Sequence, residues 1–231
     1  MRKKAILMTQ ILSIHQKNPE KRHIKTAIEI LDSGGIILAP SETGYCFIGD
    51  ASRESTHTRF LQLRPGHPKN KPFSLLCKNI SQVSQIANLN TQIFRIATRV
   101  WPGPYTFILQ CNKNTPKIAA GPKRKTVGIR ISSHLVLANI LDEFKNPLLI
   151  TSVTDEDELI AQDYFEEDNQ HDSWWINVTE ICAQITNGKI DLALENDEVV
   201  PIHVSTVIDY SKNEPEIIRD GGWDLTILGL N

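Results

Sequence analysis

The chain has 231 residues, 40% hydrophobic and 23% charged, with a net charge of -2 at neutral pH: enough to bury a sizeable core as one domain, and too balanced to pull globally on nucleic acid or membranes, so that any polyanion site has to be a local patch. The cysteines Cys46, Cys77, Cys111 and Cys182 are far apart and three of them sit in apolar or strand-like runs, which argues against a zinc site or disulfide framework and for reduced, buried thiols. No apolar run reaches membrane-spanning length and the lysine-rich start leads into no long apolar segment, so the expected location is the cytoplasm, with no membrane partner.

Residues 5–15 alternate loosely in Ile and Leu, which suits an edge strand before the turn at Asn18 and Pro19. Residues 19–33 predict the first helix, because Ile24, Ala27, Ile28 and Leu31 recur at helical spacing and Gly34 ends it. The apolar run 36–39 is opened by Gly34 and Gly35 and closed by Pro40, which cannot donate to a sheet ladder; a central strand is therefore expected to stop at residue 39. The segment from there to Gly49 reads as a polar, glycine-punctuated turn. Ser41, Glu42, Thr43 and Tyr45 place three hydroxyls and a carboxylate within five residues, and Gly44 lets the backbone turn tightly. Ligands of α/β sheets gather at the carboxyl ends of strands, so this cluster fits a binding site; it also fits a turn that only satisfies its own backbone.

Residues 53–63 predict a second helix with Phe60, Leu61 and Leu63 apolar and Arg59 solvated. The segment from Arg64 to Pro72 holds three prolines and a glycine and must be a loop. Arg64, His67, Lys69 and Lys71 make it basic, which suits a phosphate-bearing ligand and equally a solvated loop. A strand is expected over 73–77, a helix over 81–87 with Ser81 as N-cap, and a helix over 91–100 with Ile93, Ile96, Ala97 and Val100 on one face. After the break at 101–106, residues 107–110 are apolar enough for a buried strand.

A second basic cluster, Lys123, Arg124 and Lys125, leads into a strand over 127–131, where period-two alternation puts Thr126, Gly128 and Arg130 on one face. An arginine there is either paired with an acid or holds a ligand anion. A helix is expected over 135–144 and a strand over 147–153, the strand ending in hydroxyls at Thr151, Ser152 and Thr154. Residues 155–172 hold nine carboxylates in eighteen positions, at no calcium-loop spacing, and read as a solvated acidic stretch without a metal. Trp174, Trp175 and Ile176 return to the core, and a helix over 178–187 is stopped by Gly188. Strands are expected at 190–194 and at 204–210, the latter carrying Ser205 and Thr206, and residues 216–221 aim Arg219.

In this order the motifs resemble the YrdC/YciO family over about residues 20–222. Its Pro-Thr-(Asp/Glu)-Thr-x-Tyr-Gly-Leu segment stands as Pro40-Ser-Glu-Thr-Gly-Tyr-Cys-Phe47, its Lys-x-Arg as Gln62-Leu-Arg64, and its Pro-Gly-x-x-Thr as Pro102-Gly-Pro-Tyr-Thr106. Gly-x-Arg matches Gly128-Ile-Arg130, and Ser-x-Asn lines up with Ser152-Val-Thr154. Ser-Thr-Val-(Val/Ile)-Asp matches Ser205-Thr-Val-Ile-Asp209, and Ile-x-Arg-x-Gly matches Ile217-Ile-Arg-Asp-Gly221. Each motif is weak alone; seven in sequence carry the resemblance.

The resemblance implies one domain over 1–231, built on a twisted mixed α/β sheet with a concave ligand-binding face and flanking helices. It implies a reaction of ATP, L-threonine and bicarbonate to threonylcarbamoyl-AMP and pyrophosphate, in the modification of tRNA. By the same resemblance Ser41 and Thr43 hold the amino acid, and Arg64, Lys71 and Arg130 neutralise carboxylate or phosphate oxygens. Ser152, Thr154, Ser205 and Arg219 contact the nucleotide, magnesium comes with the triphosphate, and no side chain serves as a covalent nucleophile. The departures are Gln62 for the lysine, Cys46 for a glycine, Thr154 for the asparagine, and an acidic run where Ser-Gly is usual. Such losses are the pattern of the YciO branch. They imply an alternative: a paralogue that binds nucleotide, double-stranded RNA or tRNA with little or no synthase activity, its RNA contacts made by Lys69, Lys71, Lys123, Arg124 and Lys125.

Overall fold

The computed structural model describes residues 9–68, 72–120, 125–153, 186, 188–198, 200 and 203–229. Among these, ten strands form one mixed sheet: β1 (Gln10–Ile14), β2 (Ile37–Ser41), β3 (Gly44–Asp50), β4 (Ser74–Leu76), β5 (Tyr105–Gln110), β6 (Thr126–Arg130), β7 (Leu148–Ser152), β8 (Leu192–Asn196), β9 (Thr206–Asp209) and β10 (Glu216–Arg219). Their order across the sheet is β1-β8-β2-β3-β7-β4-β6-β5-β9-β10, so β1 is an edge strand and β2 is central. The helices are α1 (Lys21–Asp32), α2 (Glu54–Leu63), α3 (Ile80–Ile86), α4 (Thr91–Val100), α5 (Lys117–Ala120) and α6 (Leu135–Glu143).

Alternate residues of the inner strands point to opposite faces, and both faces are covered. Ile37, Ala39, Cys46, Ile48, Leu76 and Leu148 pack with Ile24, Ala27 and Leu31 of α1 and with Val136, Leu137 and Ile140 of α6. Leu38, Phe47, Leu75, Phe107, Ile129 and Leu149 pack on the other side with Phe60 and Leu63 of α2, Val83 of α3, and Ile93, Ile96, Ala97 and Val100 of α4. Burial on two faces is why these strands read as continuous apolar runs rather than alternating ones. Each aliphatic side chain taken fully out of water on α4 contributes about 1.5–3 kcal/mol before entropy is charged against it.

Several expectations need correction. The central strand does not stop at residue 39: β2 runs through Pro40 to Ser41, with Pro40 opposite Tyr45. An antiparallel ladder bonds only alternate residues, and β8 pairs with β2 only at Ile37 and Leu38, so a residue without an N–H fits at position 40. The segment up to Gly49 is not a polar turn. Only Glu42 and Thr43 turn the chain, and Gly44–Asp50 is a strand buried along its whole length. Helix α3 is capped by Asn79, whose side chain accepts from Gln82 N at 2.9 Å, and so begins ahead of Ser81. Arg59 is not merely solvated, since it reaches Asp191 at 2.7 Å and also donates to the Gly34 and Lys189 carbonyls. The expected acidic stretch 155–172, the tryptophan pair and the helix over 178–187 lie outside the described residues. Among the described residues no helix is long and apolar enough to cross a membrane.

Candidate functional site

The hairpin of β2 and β3 brings the polar residues of the first motif into one turn. Gly44, at φ +106°, takes a backbone conformation that side chains disfavour. Ser41 Oγ donates to Gly44 O at 2.7 Å and accepts from Thr43 N at 3.3 Å, so this hydroxyl serves the turn's own backbone. Arg130, the last residue of β6, pairs with Leu76, which places its side chain on the face of the sheet that carries Cys46 and Leu148. There its guanidinium, 3% exposed, donates to Thr43 Oγ1 at 2.9 Å and lies 3.0 Å from Glu42 Oε1. Ser132 Oγ closes the arrangement by donating to the other Glu42 oxygen.

Burial pushes the Glu42 carboxyl up, but the Arg130 charge and the hydrogen bond from Ser132 outweigh it and hold the group below its usual value. Ser132 Oγ also accepts from His134 N at 3.1 Å. His134 caps α6, its Nδ1 accepting from Val136 N at 3.3 Å. Burial lowers the pKa of this imidazole, with the Glu42 charge acting in the opposite sense. The Cys46 thiol beside this pair is pushed up to about 12 by burial, Arg130 lowering and Glu42 raising it less. It is therefore a buried thiol and not an activated thiolate.

Two further groups adjoin the turn. Arg219, at the end of β10, donates through Nη2 to Ser205 Oγ at 2.9 Å and through Nε to Ser205 O at 3.0 Å, and Ser205 Oγ lies 3.1 Å from Thr106 Oγ1. Gly221 N donates to Thr206 Oγ1 at 3.0 Å. A side chain at Gly221 would put its Cβ 2.3 Å from Val204 O, so this close approach needs glycine. His203 N donates to Thr43 O at 3.3 Å and ties this group to the hairpin. Arg64, at the end of α2, donates to Thr151 Oγ1 at 2.8 Å and to Ser152 O at 2.6 Å, and Ser152 pairs with Cys46 of β3.

The structure thus brings together Thr43 with Arg130, Ser205 with Arg219, and Arg64 with Ser152. Arg64 bonds a residue whose side chain shares a face with Phe47, whereas Arg130 lies on the Cys46 face, so the arginines meet the end of the sheet from both sides. Lys69, Lys71, Lys123, Arg124 and Thr154 lie outside the described residues. Lys125 is exposed, its carbonyl accepting from Cys111 N at 2.7 Å. Gln62 is exposed, and its carbonyl accepts from Lys189 Nζ at 2.9 Å.

A cleft of about 310 Å³ opens beside the turn, lined in part by Lys17, Ser41, Glu42, Ser133 and His134. Among the described residues no group of three His, Cys, Asp or Glu side chains could hold a metal ion. Sequence reasoning places Glu42 in the polar cluster but not as the partner of Arg130, and it misses Thr106, Ser132, His134 and Lys17. Thr106 stands inside a family motif and could have been found. Nothing in the sequence ties Lys17 or His134 to Glu42, because the end of β1 and the start of α6 meet the hairpin only in the folded chain.

The sequence profile of the Sua5/YciO/YrdC family, described as "Telomere recombination", matches residues 29–221. The uncharacterised protein YciO of Escherichia coli K12 is 31% identical over 94% of this chain and 98% of its own length. Its crystal structure superposes with a TM-score of 0.80, at 28% identity, over 96% of this chain and 100% of that one. The threonylcarbamoyl-AMP synthase of Pyrococcus abyssi is 24% identical over 94% of this chain and 59% of its own. A crystal structure of P. abyssi Sua5 complexed with L-threonine superposes with a TM-score of 0.77, at 23% identity, over 94% of this chain and 59% of that one. A profile match over most of the sequence and a mixed α/β sheet shared from end to end with YciO agree with the motif order and its assembly around one hairpin: the chain belongs to the Sua5/YciO/YrdC family.

Proposed function

We propose that the hairpin site is that of a threonylcarbamoyl-AMP synthase-like protein, which takes ATP with its magnesium, L-threonine and bicarbonate and serves tRNA modification in the cytoplasm. The observation that carries this reading is the hydrogen-bonded assembly of Thr43, Arg130, Ser205 and Arg219 around one turn, from positions scattered along the chain. In the reaction the threonine amine attacks bicarbonate, water is lost, and a carbamate oxygen displaces pyrophosphate from the α-phosphorus. A carbamate decays in water, so positioning and solvent exclusion matter more here than any covalent chemistry of the protein. Arg64 and Arg219 are the guanidinium groups proposed to meet phosphate oxygens. Arg130 is already neutralised by Glu42, so its proposed part is to position Thr43 for the amino acid rather than to bind the anion itself.

A second reading is a YciO-type paralogue that binds nucleotide, double-stranded RNA or tRNA with little or no turnover. The departures from the family motifs favour it, because Gln62 in place of a lysine removes one positive charge and an acidic run stands where Ser-Gly is usual. Both readings are tested by pyrophosphate release from ATP with threonine and bicarbonate, against a control without threonine. Release that depends on threonine supports the synthase. Nucleotide binding by calorimetry without release supports the paralogue, and a flat titration removes both nucleotide readings.

A further inference from the structure

The cleft beside the hairpin is lined by charges of both signs. One is Glu42, held ionised by Arg130 and Ser132, its side chain still 14% exposed where it borders the cleft. The other is Lys17, whose side chain is 73% exposed and whose ammonium is only loosely paired with Glu198, at 3.4 Å. An exposed pair of that kind contributes little and is easily exchanged for a ligand.

The neutral polar groups of the same cleft are set as donors. Gln16 is clamped twice: its backbone N–H donates to Asp197 Oδ1 at 2.8 Å, and its Oε1 accepts from Asn196 Nδ2 at 3.0 Å. Its Nε2 amide group is left without a described partner. His134 Nδ1 accepts from Val136 N, and burial keeps the ring neutral, so the imidazole proton sits on Nε2. Although His134 is only 7% exposed, its Nε2 reaches solvent and bonds to no described residue. The N–H of Leu135, in the first turn of α6, is likewise unbonded among the described residues and lies at the positive end of the helix dipole. The apolar part of the lining is Val200 and the side chain of Leu135, which is 46% exposed.

We infer that this cleft binds a free α-amino acid with a small side chain, as a zwitterion. The ammonium meets Glu42, and the carboxylate meets Lys17, His134 Nε2 and Leu135 N. The side chain covers Leu135 and Val200. A phosphate or nucleotide would bring several negative charges against Glu42 with a single lysine to offset them, and an organic cation would meet Lys17. A small molecule carrying both charges on adjacent atoms satisfies both groups. The volume of about 310 Å³ lies at the small end of ligand pockets. Of the residues given to the synthase only Ser41 lines the cleft, and its hydroxyl is spent within the turn. The cleft is therefore a second site, and binding there succeeds or fails independently of the proposed synthesis.

The test is isothermal titration calorimetry of the full chain, without nucleotide, against glycine, L-alanine, L-serine, L-threonine and L-valine. At least one should bind at concentrations up to about 10 mM. Its N-acetyl and amide derivatives, each lacking one of the two charges, should bind more than about tenfold weaker. Lys17→Gln should weaken binding by about tenfold. Leu135→Glu, which adds a carboxylate that the helix dipole favours, should abolish it, and both variants should melt with the unaltered chain. The inference is overturned if no amino acid binds, if either derivative binds as tightly as the parent compound, or if Lys17→Gln binds as tightly as the unaltered chain. Binding that is lost in Arg64→Ala but kept in Lys17→Gln would place the amino acid among the synthase residues, overturning this inference while sparing that reading.

Discussion

Arg130 and Glu42 form an ion pair inside the hairpin site, 3.0 Å apart and with only 3% and 14% of their side chains exposed. A buried pair of this kind is costly to break from one side, because the surviving charge is left without a partner. Arg130→Met alone, or Glu42→Gln alone, should therefore destabilise the fold by about 3–5 kcal/mol, and the two together by less than their sum. Urea denaturation of the two single variants and the double one checks this. Simple additivity would mean that the two groups do not depend on each other.

The same site predicts a stability that declines in acid through two groups. Glu42 and His134 both have folded pKa values below their ordinary ones. In each case the unfolded chain binds the proton more readily, so the contribution is present above the unfolded pKa and is lost as pH falls toward the folded one. For His134 that loss begins below about pH 6.5, and for Glu42 below about pH 4.3. Melting temperature followed from pH 7.5 down to 3.5 should show both limbs. His134→Asn, which keeps a helix cap, should remove part of the upper one; an unchanged upper limb would contradict the assignment.

Gly221 holds the chain beside Ser205 at a distance that no side chain allows. Gly221→Ala would force its Cβ against backbone atoms, Val204 O at 2.3 Å and Thr206 N at 2.7 Å. The expected cost is at least about 1–3 kcal/mol, with weaker ATP binding because the Arg219–Ser205 contact shifts. Calorimetric unfolding and an ATP titration on the same sample test the two effects.

Thiol reactivity separates burial from activation. Cys46 and Cys77 are fully buried, with their thiols pushed upward by that burial, whereas Cys111 is only partly covered. At pH 8 a disulfide reagent should modify Cys111 before either of the others, which should react only after denaturation. Rapid modification of Cys46 in the native protein, read by peptide mass spectrometry, would revive a catalytic thiol.

Much of this architecture was legible in the sequence, for identifiable reasons. The span of α4 follows from Ile93, Ile96, Ala97 and Val100 at helical spacing, and the apolar run after Gly35 reads as a central strand because both of its faces are buried. Pro40 misled, since its missing N–H signals a strand end only where a partner needs that donor. Arg130 on a strand face left two options, an acid partner or a ligand, and only the folding of Glu42 back onto it decides for the acid. The cleft was illegible because it joins Lys17 to His134, positions that no local pattern relates.

The proposed chemistry is tested most directly by threonine-dependent pyrophosphate release from ATP in bicarbonate, with Gln62→Lys measured beside the unaltered chain. The account predicts release above the threonine-free control, and a rise of about tenfold in Gln62→Lys, the equivalent of about 1.4 kcal/mol of added stabilisation of the anionic transition state. No release from either protein, with ATP giving a flat calorimetric trace, would contradict it.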